Sequence, residues 1–255
     1  MFSLENKTVL VTGASKGIGA AIAKALGAAG AHVVAHYGRD RAGAEQALAD
    51  VPAARKHFVQ ADLHDLAAVE AMWDAAQAWL GKLDVYVNNA AIMLWHGGFE
   101  ADDATWDAVW EETLEVNVLA PARLIRRAVR HFLAQRGGVL VTISSWAAQR
   151  GVTNPDTIAY AASKAAVRSM TQTVARAHAR DGLLAYIVAP GVVRTQMSEN
   201  FAATQGGEDK ISATLAMGEW VPPEDIGNLV AFLASGTARH LSGATLDVNG
   251  ATYIR

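Results

Sequence analysis

The sequence contains no cysteine. Disulfides, thiolate nucleophiles, iron–sulfur clusters and cysteine zinc sites are therefore excluded, and the absence fits a cytoplasmic enzyme. Prolines are few, 6 in 255 residues, and the 22 glycines are far below fibrous or low-complexity levels. No run approaches the ~18 uninterrupted apolar residues of a membrane span, so no membrane partner is expected. The N-terminus has no basic segment leading into a long apolar stretch, and no signal peptide is expected. Charge of one sign is lacking too: Lys and Arg total 22 against 25 acids, a net −3. A phosphate-backbone binder carries a basic face, so nucleic acid is not an expected partner. The eight histidines show no ligand spacing such as HExxH, and no metal site is expected.

What is present is apolar material: 51% hydrophobic residues against 18% charged. Short β-like runs alternate with helical patterns. The runs are Thr8–Val11, His32–Tyr37, Lys56–Gln60, Leu83–Val87, Gly138–Ile143, Leu184–Val188 and Ala244–Val248. Helical patterns follow at about 17–29, from Asp40, and at 65–80, 103–110, 111–135, 157–180 and 223–234. Strands apolar on both faces and separated by helices predict a doubly wound parallel α/β sheet of about seven strands in a single domain, residues 1–255. The stretch from Thr195 to Trp220 breaks the alternation and reads as a mobile excursion over the site.

Thr12-Gly13-Ala14-Ser15-Lys16-Gly17-Ile18-Gly19 lies between the first strand and the first helix. Glycines there permit a tight turn and close approach of backbone amides to an anion, and the helix N-terminus favours a pyrophosphate. Asp40 is placed to cap the next helix. Tyr160 and Lys164 are four apart on one helix face. A lone tyrosine titrates near 10, too high for proton transfer at neutral pH, and a neighbouring ammonium lowers it.

The loop resembles the TGxxxGxG loop of the short-chain dehydrogenase/reductase family, in its 3-oxoacyl-(acyl-carrier-protein)-reductase-like branch. The resemblance then extends along the chain, through Asp62-Leu63, Asn88-Asn89-Ala90-Ala91, Asn117, Ile143-Ser144-Ser145, Tyr160-Ala161-Ala162-Ser163-Lys164 and Pro190-Gly191-Val192-Val193-Arg194-Thr195. It implies an NAD(P)-dependent oxidoreductase. Gly13, Ser15, Lys16, Gly17, Ile18 and Gly19 would hold the phosphates, Asp62 and Leu63 the adenine, and Asn89, Ala90 and Ala91, in the place of the family's NNAG motif, would be further cofactor contacts. Ala91 stands where the family has Gly, and narrows the backbone approach. Tyr160 and Lys164, with Pro190, Gly191, Val193 and Thr195, would border the nicotinamide.

The resemblance assigns Tyr160 as general acid/base, Lys164 as its electrostatic tuner and ribose ligand, Ser145 as the residue polarising the substrate oxygen, and Asn117 as holder of a water relay. Ser145 and Tyr160 are 15 apart, longer than in many relatives; a bulge at 153–156 would absorb the excess, and Ser144 stays open for the Ser145 role. The family's NAD-selecting acid would fall at Tyr37 and is missing. With Lys16 and Arg39 able to meet a 2′-phosphate, NADP(H) is favoured over NAD(H). Met93, Trp95, Trp146 and Gln149 could join Ser145 and Tyr160 around an apolar small-molecule substrate, a medium or cyclic ketone or alcohol. An acyl thioester and a sugar remain open. So does a non-catalytic NADP-sensing protein, although such a protein would be expected to lose part of the tetrad. Apolar stripes on the 111–135 and 157–180 helices suggest a homodimer or homotetramer, or cover for the sheet alone. Trp106 and Trp110 are expected in the core or an interface.

Overall fold

A computed structural model describes residues 3–254. Seven strands form one sheet: β1 (Thr8–Val11), β2 (His32–Tyr37), β3 (Lys56–Gln60), β4 (Val85–Asn88), β5 (Gly138–Ile143), β6 (Leu183–Pro190) and β7 (Thr245–Val248). The order is β3-β2-β1-β4-β5-β6-β7, and every pairing is parallel. The family-scale expectation of a doubly wound sheet is therefore met. The order reverses between β1 and β4, so the carboxyl ends of these strands border the crevice where such sheets bind ligands.

Alternation along each strand divides the core in two. Val9, Val11, Val33, Val85 and Val141 join one apolar cluster, packed under α1 (Gly17–Ala28), α2 (Arg41–Ala47) and a late C-terminal helix. Leu10, Val34, Tyr86 and Leu140 join the other, under α3 (Leu66–Leu80) and the central helices. Each fully buried Val or Leu side chain contributes about 2 kcal/mol. Trp73 of α3 is fully buried and meets Tyr86 edge-on, 6.0 Å between ring centres.

The helix starts follow from capping chemistry. Asp40 accepts from the Gly43 amide (2.8 Å), so it caps α2. Asp65 caps α3 through the amides of Ala67 and Ala68. Asp102 caps α4 (Asp103–Leu114) through Thr105.

One expectation is corrected here. The 103–110 and 111–135 patterns form one helical run. A π turn, Glu115–Leu119, joins α4 directly to α5 (Ala120–Ala134). The apolar stripe of α5, with Leu124, Ile125, Ala128 and Phe132, is spent on the sheet. Trp106 and Trp110 lie in neither large cluster. Their rings pack together 5.5 Å apart, and Trp106 stacks on the exposed Phe99.

α6 (Ala147–Arg150) and a 3₁₀ turn at Pro155–Thr157 fill the long Ser145–Tyr160 interval. α7 (Ile158–His178) follows. The irregular excursion contains two short helices, α8 (Gln196–Thr204) and α9 (Glu208–Ser212). Ala202, Leu215 and Trp220 make a small core within it, against Trp146 and Val192. α10 (Pro223–Ala234) completes the first layer. No described helix is long and apolar enough to cross a membrane, and the described residues contain no cluster of side chains suited to a metal.

Candidate active site

The Gly13–Gly19 loop turns from β1 into α1. Asn89 fastens it: its Nδ2 donates to Thr12 O (2.8 Å), and its own amide donates to Thr12 Oγ1 (3.0 Å). Thr12 Oγ1 also accepts from Ala90 N (3.2 Å). Thr12 thus ties the end of β1 to the end of β4, a role that sequence reasoning did not assign. α1 begins without help from its N-cap residue, Lys16, whose side chain makes no capping bond, and no acid sits in the first turn. First-turn amides have no partner one turn back. Those of Gly17, Ile18 and Gly19 therefore remain donors, and a pyrophosphate fits that donor set.

Around the adenosine end the picture is mixed. Ser15 Oγ donates to Asp40 O (2.6 Å), drawing the loop that carries Lys16 against the segment that carries Arg39. Lys16 and Arg39 are both exposed. Tyr37 is buried at the end of β2, and Arg41 just beyond it pairs with Glu45. Asp62 is committed locally. His64 supplies a ring nitrogen at 2.8 Å and its amide at 3.1 Å, and these bonds, helped by the charge of Arg39, hold the Asp62 carboxyl below its usual range. Leu63 packs into the second core cluster.

At the end of β5 the two serines separate. Ser144 Oγ donates to Lys164 O (2.9 Å), pinning α7 to the strand. Ser145 Oγ accepts from Ala147 N (3.1 Å) and is near enough to the Tyr160 phenol to favour its ionised form. Of the pair, Ser145 is the one turned to Tyr160. Lys164 is 5% exposed. Its Nζ donates to Ile143 O (2.9 Å) and lies 5.7 Å from the centre of the Tyr160 ring.

Burial dominates both titrations. It pushes Tyr160 up to about 12, against the smaller lowering from Ser145, and brings Lys164 down to about 8. Desolvation disfavours both charged forms, the phenolate and the ammonium.

Asn117 sits in the π turn. Its side chain accepts from Ile92 N (2.9 Å) and donates to Ile92 O (2.9 Å) and Ser163 Oγ (3.0 Å). Ser163 passes the chain on to Tyr160 O at 2.7 Å. Both amide hydrogens of Asn117 are used, which leaves only oxygen atoms of this residue for a water. Ser163 was missed as a connector, although its place three residues after Tyr160 puts it on the same helix face.

The remaining candidates are scattered. Trp95 stacks on Phe201 of α8, 5.4 Å between centres, a partner that no sequence pattern announced. Met93 is half-buried beside it in the chain. Trp146 carries Arg150 over its ring at 4.8 Å. Gln149 turns to β7 instead, donating to Asp247 (2.9 Å). Ala91 is half-buried after β4 and Pro190 ends β6. Gly191 packs closely on Asn249, Val193 is buried and bridges to Val221, and Thr195 caps α8 with its side chain next to Gly17.

A crossover crevice with free first-turn amides and a half-buried tyrosine beside a buried lysine defines a nicotinamide-dependent oxidoreductase acting on CH–OH or C=O groups. The chain belongs to the short-chain dehydrogenase/reductase family. A family model described as enoyl-(acyl carrier protein) reductase matches residues 13–251. The chain is similar to 3beta-hydroxysteroid dehydrogenase 1 of Eggerthella lenta, 35% identical over 97% of this chain and 94% of the relative. It is 33% identical to 3-oxoacyl-(acyl-carrier-protein) reductase of Escherichia coli over 99% of both chains. Among solved structures, a 3-ketoacyl-(acyl-carrier-protein) reductase from Brucella melitensis complexed with NADH matches with a TM-score of 0.86 and 30% identity, covering 99% of this chain and all of that one.

Proposed function

We propose that the protein is an NADP(H)-preferring reductase of a medium-sized apolar or cyclic ketone, working reversibly, with Tyr160 as the proton-transfer group. The observation that carries this reading is the buried ammonium of Lys164, held by Ile143 O and lying 5.7 Å from the centre of the Tyr160 ring. Bound along the loop, the nicotinamide supplies or accepts the hydride. Tyr160 holds the proton for the substrate oxygen, and Ser145 orients that oxygen. Among the described residues, Ile143 O is the one hydrogen-bond partner of Lys164 Nζ, which leaves it hydrogens to offer a ribose. Asn117, through an oxygen, would hold a water connecting Lys164 to solvent.

This arrangement fixes the pH response. A phenol near 12 is protonated throughout the neutral range, so carbonyl reduction has its proton in hand and should not speed up as pH rises. Alcohol oxidation needs the phenolate, whose fraction grows about tenfold per pH unit below the pKa. Oxidation should therefore climb between about pH 6 and 8. It should level off as Lys164, near 8, loses the charge that favours phenolate. Profiles of kcat/KM in both directions test this, and parallel profiles would remove Tyr160 from the role.

For the cofactor, Lys16 and Arg39 are the 2′-phosphate ligands in this reading. Charge-assisted contacts of this kind are worth about 1.5–3 kcal/mol. Replacing both with Ala should weaken NADPH binding at least about tenfold and leave NADH within about twofold. Fluorescence titration of both nucleotides, followed by a ketone screen, is the direct test. Equal losses for both nucleotides would mean that the two cations read no phosphate.

An apolar substrate is supported by the aromatic rings of Trp95, Phe201 and Trp146, and by the name of the Eggerthella relative. A carrier-bound thioester finds less support. Arg194, the cation expected at the mouth, is paired with Glu208 at 2.7 Å. A sugar finds few free polar groups, because Gln149 is committed to Asp247. Turnover on any ketone would also exclude a purely nucleotide-sensing role. The 195–220 segment serves as lid in this reading, and the protein works in the cytoplasm. A homodimer or homotetramer would form through the outer faces of α5 and α7, next to Leu119 of the π turn, which is half exposed; light scattering decides between these sizes and a monomer.

A further inference from the structure

We propose that His36 is a positioning residue for the cofactor: its imidazole, sealed under the glycine-rich loop, keeps the first amide of that loop turned inward so that the later ones face a pyrophosphate. The inference rests on the reading of this loop as the dinucleotide site.

His36 is the penultimate residue of β2 and is 2% exposed. Alternation sends it to the side of the sheet occupied by Val34 and α3, while Tyr37 packs on the other. Its Nδ1 lies 3.1 Å from Gly13 N, and its Nε2 lies 3.2 Å from Ala61 O. A carbonyl only accepts, so Nε2 carries the proton and Nδ1 offers a lone pair to the Gly13 amide. Burial lowers the imidazole pKa and keeps this neutral form in place. The His36 carbonyl also accepts the Ala14 amide at 2.9 Å. One residue thus clamps the ends of β1, β2 and β3 together at the mouth of the crevice.

The clamp also sorts the loop amides. Those of Gly13 and Ala14 are consumed internally, both by His36. Gly13 reaches this orientation at φ +68, where the left-handed region favours glycine. The amides of the first helical turn are left outward and unpaired, as a pyrophosphate requires. Without an acceptor, the Gly13 amide would be a buried orphan. The loop would relieve it by turning, and its outward amides would turn with it.

The test is titration of NADPH and NADH onto the full-length protein by fluorescence, with melting temperature and saturated kcat recorded alongside. In His36→Asn, the side-chain oxygen can stand near the Nδ1 position and accept from Gly13. In His36→Gln, the amide nitrogen can still reach Ala61 but leaves Gly13 unpaired. His36→Leu offers neither bond. Gln and Leu should raise the Kd of both nucleotides about tenfold, with saturated kcat within about twofold, and Asn should restore binding to within about twofold of the parent. Asn binding as weakly as Leu, or all three binding like the parent, would overturn the proposal. Should His36→Leu fail to fold, the Asn and Gln pair decides alone. A parent protein that binds neither nucleotide overturns the cofactor reading itself, a failure distinct from any difference among the variants.

Discussion

Tyr160→Phe is expected to lower kcat about a thousandfold while leaving nucleotide Kd within about twofold, since a positioned general acid contributes roughly 10²–10⁴ in rate. The substitution removes one oxygen and keeps the ring, so the packing beside Lys164 survives. The cost falls on the proton that the phenol would deliver. Steady-state rates on the best ketone, together with nucleotide titration, separate chemistry from binding. Retention of more than about a tenth of the activity would mean that another group delivers the proton. Ser145→Ala is the companion variant. It should also act on kcat, whereas Ser144→Ala, removing the bond to Lys164 O, should act first on stability.

Gly19→Ala carries the second large effect. A Cβ at this position would lie 2.0 Å from Gly13 O and 2.6 Å from Asn89 Nδ2. The oxygen belongs to the backbone of the phosphate loop and cannot swing aside as a side-chain tip could. Either α1 backs away or the loop opens, and in both cases the first-turn amides leave their places. Overpacking of this sort costs about 1–3 kcal/mol in stability. Nucleotide affinity should fall about a hundredfold, because the displaced atoms are the ligands themselves. Thermal melting with nucleotide titration checks both, and an unchanged melting temperature with parental Kd would show that the loop relaxes freely.

Where periodicity was strong, the sequence was a good guide. Thr8–Val11, His32–Tyr37, Lys56–Gln60 and Gly138–Ile143 are strands with the boundaries that alternating apolar runs suggest. Punctuation worked as well: Asp40 and Asp65 are caps because short carboxylates at those positions have amides waiting for them. The glycine loop and the Tyr160/Lys164 pair were legible because each depends on residues close together in the chain.

What escaped depends on distant partners. Ser144 and Ser145 are adjacent and chemically alike, and only the packing of α7 tells which hydroxyl faces Tyr160. The partner that orients Gln149, Asp247, lies 98 residues away in the chain. The stacking of Trp95 on Phe201 joins segments with no shared pattern. Burial, which raises the Tyr160 pKa, was equally out of reach, because it is a property of the assembled fold.

The π turn at Glu115–Leu119 has a consequence for how such a site can arise. An α-helix advances about 100° per residue, and a turn with one residue too many offsets everything before it by that angle. Here the offset lets Asn117 reach both backbone groups of Ile92 while Val109 and Thr113, upstream, still face inward. Deleting a single residue from the turn would regularise the helix and rotate those two buried side chains toward solvent. No series of side-chain exchanges connects the regular and the offset forms. The step between them is a change in chain length, taken whole or not at all, and once taken it is held by every contact along thirty-odd residues of helix.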